Sequence, residues 1–189
     1  MHRHKIVNQH GLHFLTFTVV GWIDVFTRKQ YRDILIESMK FCQSKKDLHI
    51  NAYVIMSNHM HLIAHSPESN LSDIIRDFKK YTSKQIIKAI RENPKESRAE
   101  WMLKLFKYFA KYNKNNSVYQ FWKQDNRPIE LINPKWINQK INYIHFNPVR
   151  AGVVELPEDF IYSSARNYLG ERGILEVEVI DVDSDSNYF

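Results

Sequence analysis

A chain of 189 residues, 43% of them hydrophobic, is long enough to bury a substantial core and is most simply read as one domain. Its single cysteine, Cys42, excludes an internal disulfide and a cysteine-rich structural zinc site, and no apolar run approaches the ~18–20 residues that a membrane span needs. The formal net charge is +6 but unevenly placed: Glu176, Glu178, Asp181, Asp183 and Asp185 follow the last basic residue, Arg172, leaving 27 basic against 16 acidic residues, +11, in residues 1–172. Such a basic body favours a polyanionic partner, nucleic acid first. Basic residues open the chain (Met1-His2-Arg3-His4-Lys5) without an apolar stretch behind them, so no signal peptide is expected and the cytoplasm is the expected compartment.

In chain order, His13–Val20 is a first strand by composition, closed by Gly21. Residues 28–47 read as a helix, with Tyr31, Ile34, Leu35, Met39 and Cys42 on one face. Residues 49–66 read as a β-hairpin broken at Ser57-Asn58. Alternation along its second strand turns His59, His61, Ile63 and His65 to one face and Met60, Leu62 and Ala64 to the core. Two imidazoles two residues apart on one sheet face suit a metal ion, although a His-x-His pair on a strand also arises by chance. From Leu71 to about Ile90 a second amphipathic helix follows, with Arg76, Lys79, Lys80 and Lys84 on its outer face. The order β-α-β-β-α needs one further strand to make a ferredoxin-like α+β sandwich.

Pro94 breaks the pattern, and residues 97–112 restart a helix in which Trp101, Leu105, Tyr108, Phe109 and Tyr112 alternate with lysines. Stacking on a nucleic-acid strand and a plain solvated amphipathic face both explain that pattern, and the second is preferred. Ser117–Trp122 and Arg127–Ile132 are the candidates for the fourth strand. Asn133-Pro134 supplies a cap and first turn for a helix over 134–147, expected to stop before Pro148. Ile137, Ile141 and Ile144 form its buried stripe, and Tyr143 and Asn147 share the neighbouring one. The tail over 174–182 alternates apolar and acidic residues and suggests an edge strand, with fraying from Asp181 onward.

With Asn58-His59-Met60-His61-Leu62 and Tyr143-Ile144-His145-Phe146-Asn147-Pro148-Val149-Arg150-Ala151-Gly152 both present, the sequence resembles the single-tyrosine HUH transposases. The second stretch, together with Pro157, Phe160 and Tyr162-Ser163-Ser164, is similar to the REP-associated tyrosine transposase branch. The resemblance covers residues 10–170. It implies a ferredoxin-like β-α-β-β-α-β sandwich with an antiparallel sheet and an additional helix carrying the nucleophile. It also implies His59, His61 and Asn147 as ligands of a divalent metal, Mg²⁺ or Mn²⁺, and Tyr143 as the nucleophile. The partner it implies is single-stranded DNA with hairpin structure, cut through a 5′-phosphotyrosine. The chain departs from the pattern in a helical insertion at about 94–116 and in the acidic tail, 173–189, which leave substrate shape and the choice between monomer and homodimer open.

Arg76, Lys79, Lys80, Lys84 and Arg150 are the expected phosphate contacts. Tyr81 is the rival nucleophile, read as packing at the core edge. His65 lies about 13 Å along the strand from His59, too far to share its ion, and is assigned to DNA contact or plain surface. His145 points away from Tyr143. The competing classes are a non-catalytic hairpin-binding protein and a metal phosphodiesterase that uses water.

Overall fold

The computed structural model describes residues 5–112 and 118–181. Its centre is a four-stranded antiparallel sheet in the order β2-β3-β1-β4, from β1 (His13–Thr18), β2 (His49–Ile55), β3 (His59–His65) and β4 (Ile129–Glu130). α1 (Lys29–Lys45) joins β1 to β2 and α2 (Leu71–Glu92) follows β3, which is the ferredoxin-like arrangement the sequence leads one to expect. Alternation decides what each face meets. Leu15 and Phe17 of β1 and Met60 and Leu62 of β3 join Tyr31, Leu35 and Met39 of α1 and Ile74, Phe78 and Ile86 of α2 in one core. Each such side chain, taken wholly out of water, contributes about 1.5–3 kcal/mol.

The opposite face is covered by α4 (Pro134–His145), which lies across β2 and β3. Phe14, Ala52, Val54 and Ile63 form a second, smaller core there with Ile141 and Ile144. β2 reaches both cores by alternation, and a bulge between Ile50 and Ala52 re-phases the strand around Asn51 so that Ile50 joins Tyr53 and Ile55 in the first core. The cap behaves as the sequence indicates: the Asn133 side chain accepts from Lys135 N at 2.9 Å, and Pro134 sits in the first turn.

Three expectations are modified. The fourth strand shrinks to two residues, because the first candidate segment makes only a single bridge, Val19 to Trp122, before the polar turn at 123–126 interrupts pairing; Ser117 lies outside the described residues. The helix that carries Tyr143 ends at His145, but the chain re-enters a short helix, α5 (Asn147–Arg150), in which Pro148 is accommodated in the first turn. Over 174–181 no regular strand forms. Glu178 N instead donates to the Ile50 carbonyl at 2.8 Å, laying that segment along the free edge of β2. The rest of the acidic tail, where fraying was expected, lies outside the described residues.

The remainder of the β2 edge is occupied by Tyr162-Ser163-Ser164. Ile55 N donates to the Tyr162 carbonyl at 2.9 Å, and Ser164 N donates to the Tyr53 carbonyl at 3.0 Å. Ser164 Oγ also accepts from Tyr53 N and lies 2.9 Å from His145 Nε2. The serine pair therefore ties α4 to the sheet. α3 (Ala99–Lys111) packs on α2 and reaches Gly21, whose φ of 64° and proximity to Phe109 (2.8 Å from where a Cβ would stand) leave room for glycine alone.

Candidate active site

The register of β1 against β3 places Thr16 opposite His61 and Thr18 opposite His59. His59 and His61 share the sheet face under α4, with ring centroids 4.9 Å apart. His61 is buried, stacked on Phe14 at 5.2 Å and met edge-on by Tyr143 at 5.1 Å. Strand periodicity and helix packing thus bring together His59, His61 and Tyr143, residues separated by more than 80 positions in the chain.

The hydrogen bonds of the two imidazoles favour metal ligation. Asn58 Nδ2 donates to Asp24 at 2.9 Å, which turns Asn58 Oδ1 to accept from His59 Nδ1 at 2.8 Å and leaves the His59 Nε2 lone pair free. His61 Nδ1 lies 3.0 Å from Thr16 Oγ1, while its Nε2 is buried and, among the described residues, without a hydrogen-bond partner. A buried polar atom left bare costs about 1–3 kcal/mol unless something binds it. Burial lowers the pKa of both rings, that of His61 to about 3, with the neighbouring His59 and Lys140 adding to the effect. Both imidazoles are therefore neutral near pH 7, the state in which they ligate metals. These residues fit a divalent ion.

Tyr143 is 37% exposed, so its hydroxyl can meet a substrate from solvent. Two cations lie over its ring: Arg150 at 5.6 Å and Lys140 at 5.6 Å, the latter also 4.8 Å from the Phe14 centroid. Asn147 opens α5 at the position expected from the helical spacing; among the described residues its side chain makes no hydrogen bond to either histidine. Tyr81 is 57% exposed on α2, the helix on the other side of the sheet, and lines an apolar hollow with Phe41 and Ile34. That location separates it from the histidine pair. His145, its pKa pushed down to about 4 by burial, is held by Ser164 and packs on Tyr168 at 4.8 Å, a structural role.

The expected phosphate contacts divide. Lys80 and Lys84 are exposed along α2. Arg76 is exposed but paired with Asp73 and Asp77. Lys79 is different: its ammonium donates to the Lys123 carbonyl at 2.7 Å and to Asn126 Oδ1 at 2.6 Å, so it clamps the 123–126 turn rather than facing a ligand. Burial lowers its pKa to about 8.

Trp22, Lys123, Thr16 and Lys140 complete the site without having been singled out by sequence. Trp22 is 54% exposed at a φ of 56°, an outlier for so bulky a side chain. Its ring lies edge-on to His59 at 5.9 Å, and Lys123 Nζ sits over it at 4.2 Å. Lys123 also lines a groove of about 770 Å³ that runs along α2 with Lys5, Arg76, Lys79 and Lys80. Lys123 is thus shared between the rim of that basic groove and the exposed indole beside His59. Of these four, only Lys140 left a trace in the sequence, three residues before Tyr143 on the same helix; the others depend on strand register and loop shape.

A ferredoxin-like antiparallel sheet thus sets a His-x-His strand against a tyrosine on the covering helix. Residues 7–124 match the family model described as "Transposase IS200 like", so the chain belongs to the IS200-like transposase family. A structure of a REP-associated tyrosine transposase bound to a REP hairpin is similar over 100% of this chain and 99% of its own, at 21% identity and a TM-score of 0.61. A protein of Deinococcus radiodurans R1, provisionally assigned as a transposase, aligns with 77% of this chain and 98% of its own at 15% identity and a TM-score of 0.43. No curated protein matches the chain. The family match ends before α4 and does not reach Tyr143.

Proposed function

We propose that this transposase is a metal-dependent endonuclease and strand transferase for single-stranded DNA, with Tyr143 as nucleophile and His59, His61 and Asn147 as the residues that hold a divalent ion. The observation that carries the reading is the Tyr143 ring 5.1 Å from that of His61, whose buried Nε2 has no hydrogen-bond partner among the described residues. The bound ion, Mg²⁺ or Mn²⁺, supplies Lewis-acid polarisation of the scissile phosphate. Lys140 and Arg150, their cationic groups each 5.6 Å from the centre of the phenol ring, are placed to offset the charge of the phosphate that Tyr143 would attack. The phenolate oxygen forms a bond to phosphorus as the bond to the 3′ oxygen breaks, and that oxygen leaves as a 3′-OH after taking a proton. Because the 5′-phosphotyrosine retains a phosphoester, a second 3′-OH can reverse the step and join strands.

The basic groove beside Lys80 and Lys123 supports a backbone track, and Trp22 supports stacking of an unpaired base next to the reaction centre. A hairpin substrate is proposed because the similar REP-associated transposase is bound to a REP hairpin. Among the described residues no helix is long and apolar enough to cross a membrane. The test uses a 3′-labelled hairpin oligonucleotide from DNA flanking the gene, with Mg²⁺ or Mn²⁺, resolved on a denaturing gel. Label shifted to protein mass in the wild type and absent from Tyr143→Phe is the expected result. Cleavage without an adduct, or an adduct that survives in Tyr143→Phe, removes Tyr143 from this role; tight binding without either product points to a binding protein.

A further inference from the structure

A second histidine pair lies at the other end of β3. His49 opens β2 and His65 closes β3, the antiparallel register sets them opposite each other, and their ring centroids are 5.0 Å apart. The segment that follows the domain body reaches over them. Glu178 is fixed by its backbone, its N–H donating to Ile50 at 2.8 Å and its carbonyl accepting from Asn51 Nδ2 at 2.9 Å. Its carboxylate Oε1 then lies 2.5 Å from His49 Nδ1. One ligand atom from each of His49, His65 and Glu178 falls within 4.8 Å of the others.

We propose that His49, His65 and Glu178 form a zinc site, separate from the His59/His61 centre, that fastens the acidic segment to the free edge of β2. An ion pair alone accounts for Glu178 and His49 but gives no role to His65 or to the way both rings are oriented. His49 Nε2 lies 3.2 Å from Asp47 Oδ1, and His65 Nδ1 lies 3.2 Å from Asn51 Oδ1. Each imidazole therefore has one nitrogen held by a side-chain oxygen, leaving His49 Nδ1 and His65 Nε2 as the ligand atoms. Proteins fix the tautomer and angle of metal-binding histidines in this way. The orienting groups are themselves built in. Asp47 adopts a φ of 57°, and its other oxygen accepts from Ser66 Oγ, Glu68 N and Ser69 N at 2.8, 2.7 and 3.0 Å. Asn51 is the residue around which β2 bulges.

Two imidazoles and one carboxylate, with a fourth position for water, make a donor set suited to Zn²⁺, whereas Mg²⁺ prefers oxygen ligands throughout. The ion would take the place of the proton between His49 and Glu178 and add a side-chain tie to the backbone bonds that already lay the segment on the sheet edge.

The test uses the full chain, stripped by a chelator and titrated with ZnCl₂ in a calorimeter. His59→Ala with His61→Ala first removes the proposed catalytic pair, so that failure of either site is read separately. That protein is expected to bind one equivalent of Zn²⁺, with affinity falling more than about tenfold on adding Glu178→Gln. The Glu178 side chain is 56% exposed, so this change leaves the fold undisturbed. In the wild type, Zn²⁺ is expected to slow amide exchange at 49–51 and 176–180. No binding in the double variant, an affinity indifferent to both Glu178→Gln and His65→Ala, or wild-type exchange at 176–180 unaffected by Zn²⁺ would overturn the assignment.

Discussion

Lys79→Met separates two roles that a lysine on a basic helix can have. The ammonium donates to the Lys123 carbonyl at 2.7 Å, to Asn126 Oδ1 at 2.6 Å and, more weakly, to the Gln124 carbonyl at 3.5 Å. Hydrogen bonds from a charged donor contribute about 1.5–3 kcal/mol each. Against them stands the cost of burying the ammonium, visible in a pKa lowered from 10.5 to about 8. Taken at face value that shift is on the order of 3 kcal/mol, and the part of the side chain still in contact with water reduces it to about 2 kcal/mol. Methionine keeps the stem, recovers the burial cost and leaves two acceptors bare, for a net loss of about 1–2 kcal/mol. In a domain of this length that is a fall of several °C in Tm. The sign with pH is also fixed. Between about 8 and 10.5 the unfolded chain holds a proton that the folded chain has released, so this group makes the wild type gain stability relative to Lys79→Met as pH rises. Because Lys79 faces the turn, the salt dependence of single-stranded DNA binding is expected to stay unchanged. An unaltered Tm with a log–log salt slope reduced by about 0.7 would mean that Lys79 touches phosphate, and the clamp would be wrong.

Two further changes probe the surroundings of the site. Trp22→Gly relieves a φ of 56° and is expected to hold or raise stability by about 1 kcal/mol, while weakening binding of a single-stranded oligonucleotide by about 5-fold to 150-fold, as loss of one stacked base would; lowered stability with intact binding, by denaturant melts and fluorescence anisotropy, would make Trp22 structural. Glu96, its side chain out of water, loses stabilisation through burial but gains more from hydrogen bonds with Arg98 and Arg28, so that its pKa falls from 4.5 to about 2. The resulting stability, on the order of 3 kcal/mol, is present above pH 4.5 and lost as pH falls toward 2. Glu96→Gln is expected to flatten the acid limb of a stability-against-pH curve, and an unchanged limb would refute this.

Legibility in the sequence followed the range of the interaction. Periodicity alone separates Met60, Leu62 and Ala64 from His59 and His61, because a strand alternates whatever its partners. It also finds the Ile141/Ile144 stripe of α4. It does not show that Thr16 faces His61, since that pairing depends on register between strands more than 40 residues apart. Lys79 reads as an outer-face cation because nothing local reveals that the 123–126 turn folds down onto it. His65 reads as surface because its partners, His49 across the hairpin and Glu178 far along the chain, meet only once the segment after α6 (Ala165–Tyr168) crosses the β2 edge.

The serines after Tyr162 show why a motif can extend well beyond the reacting groups. Tyr143 stands on a helix whose stripe onto the sheet is short, Ile141 and Ile144 with Ile137 packed beside them. Such a contact fixes the distance of α4 from the sheet better than its rotation about its own axis. A second attachment is supplied two residues past the tyrosine, where His145 Nε2 meets Ser164 Oγ, and that hydroxyl is held by Tyr53 of β2. The ring of His145 is also packed against Tyr168. On a helix with about 100° per residue, anchoring position 145 determines where position 143 points. The proposed chemistry requires the phenol to stand beside His61 reproducibly, and on that reading His145 and Ser164 act as positioning residues for Tyr143.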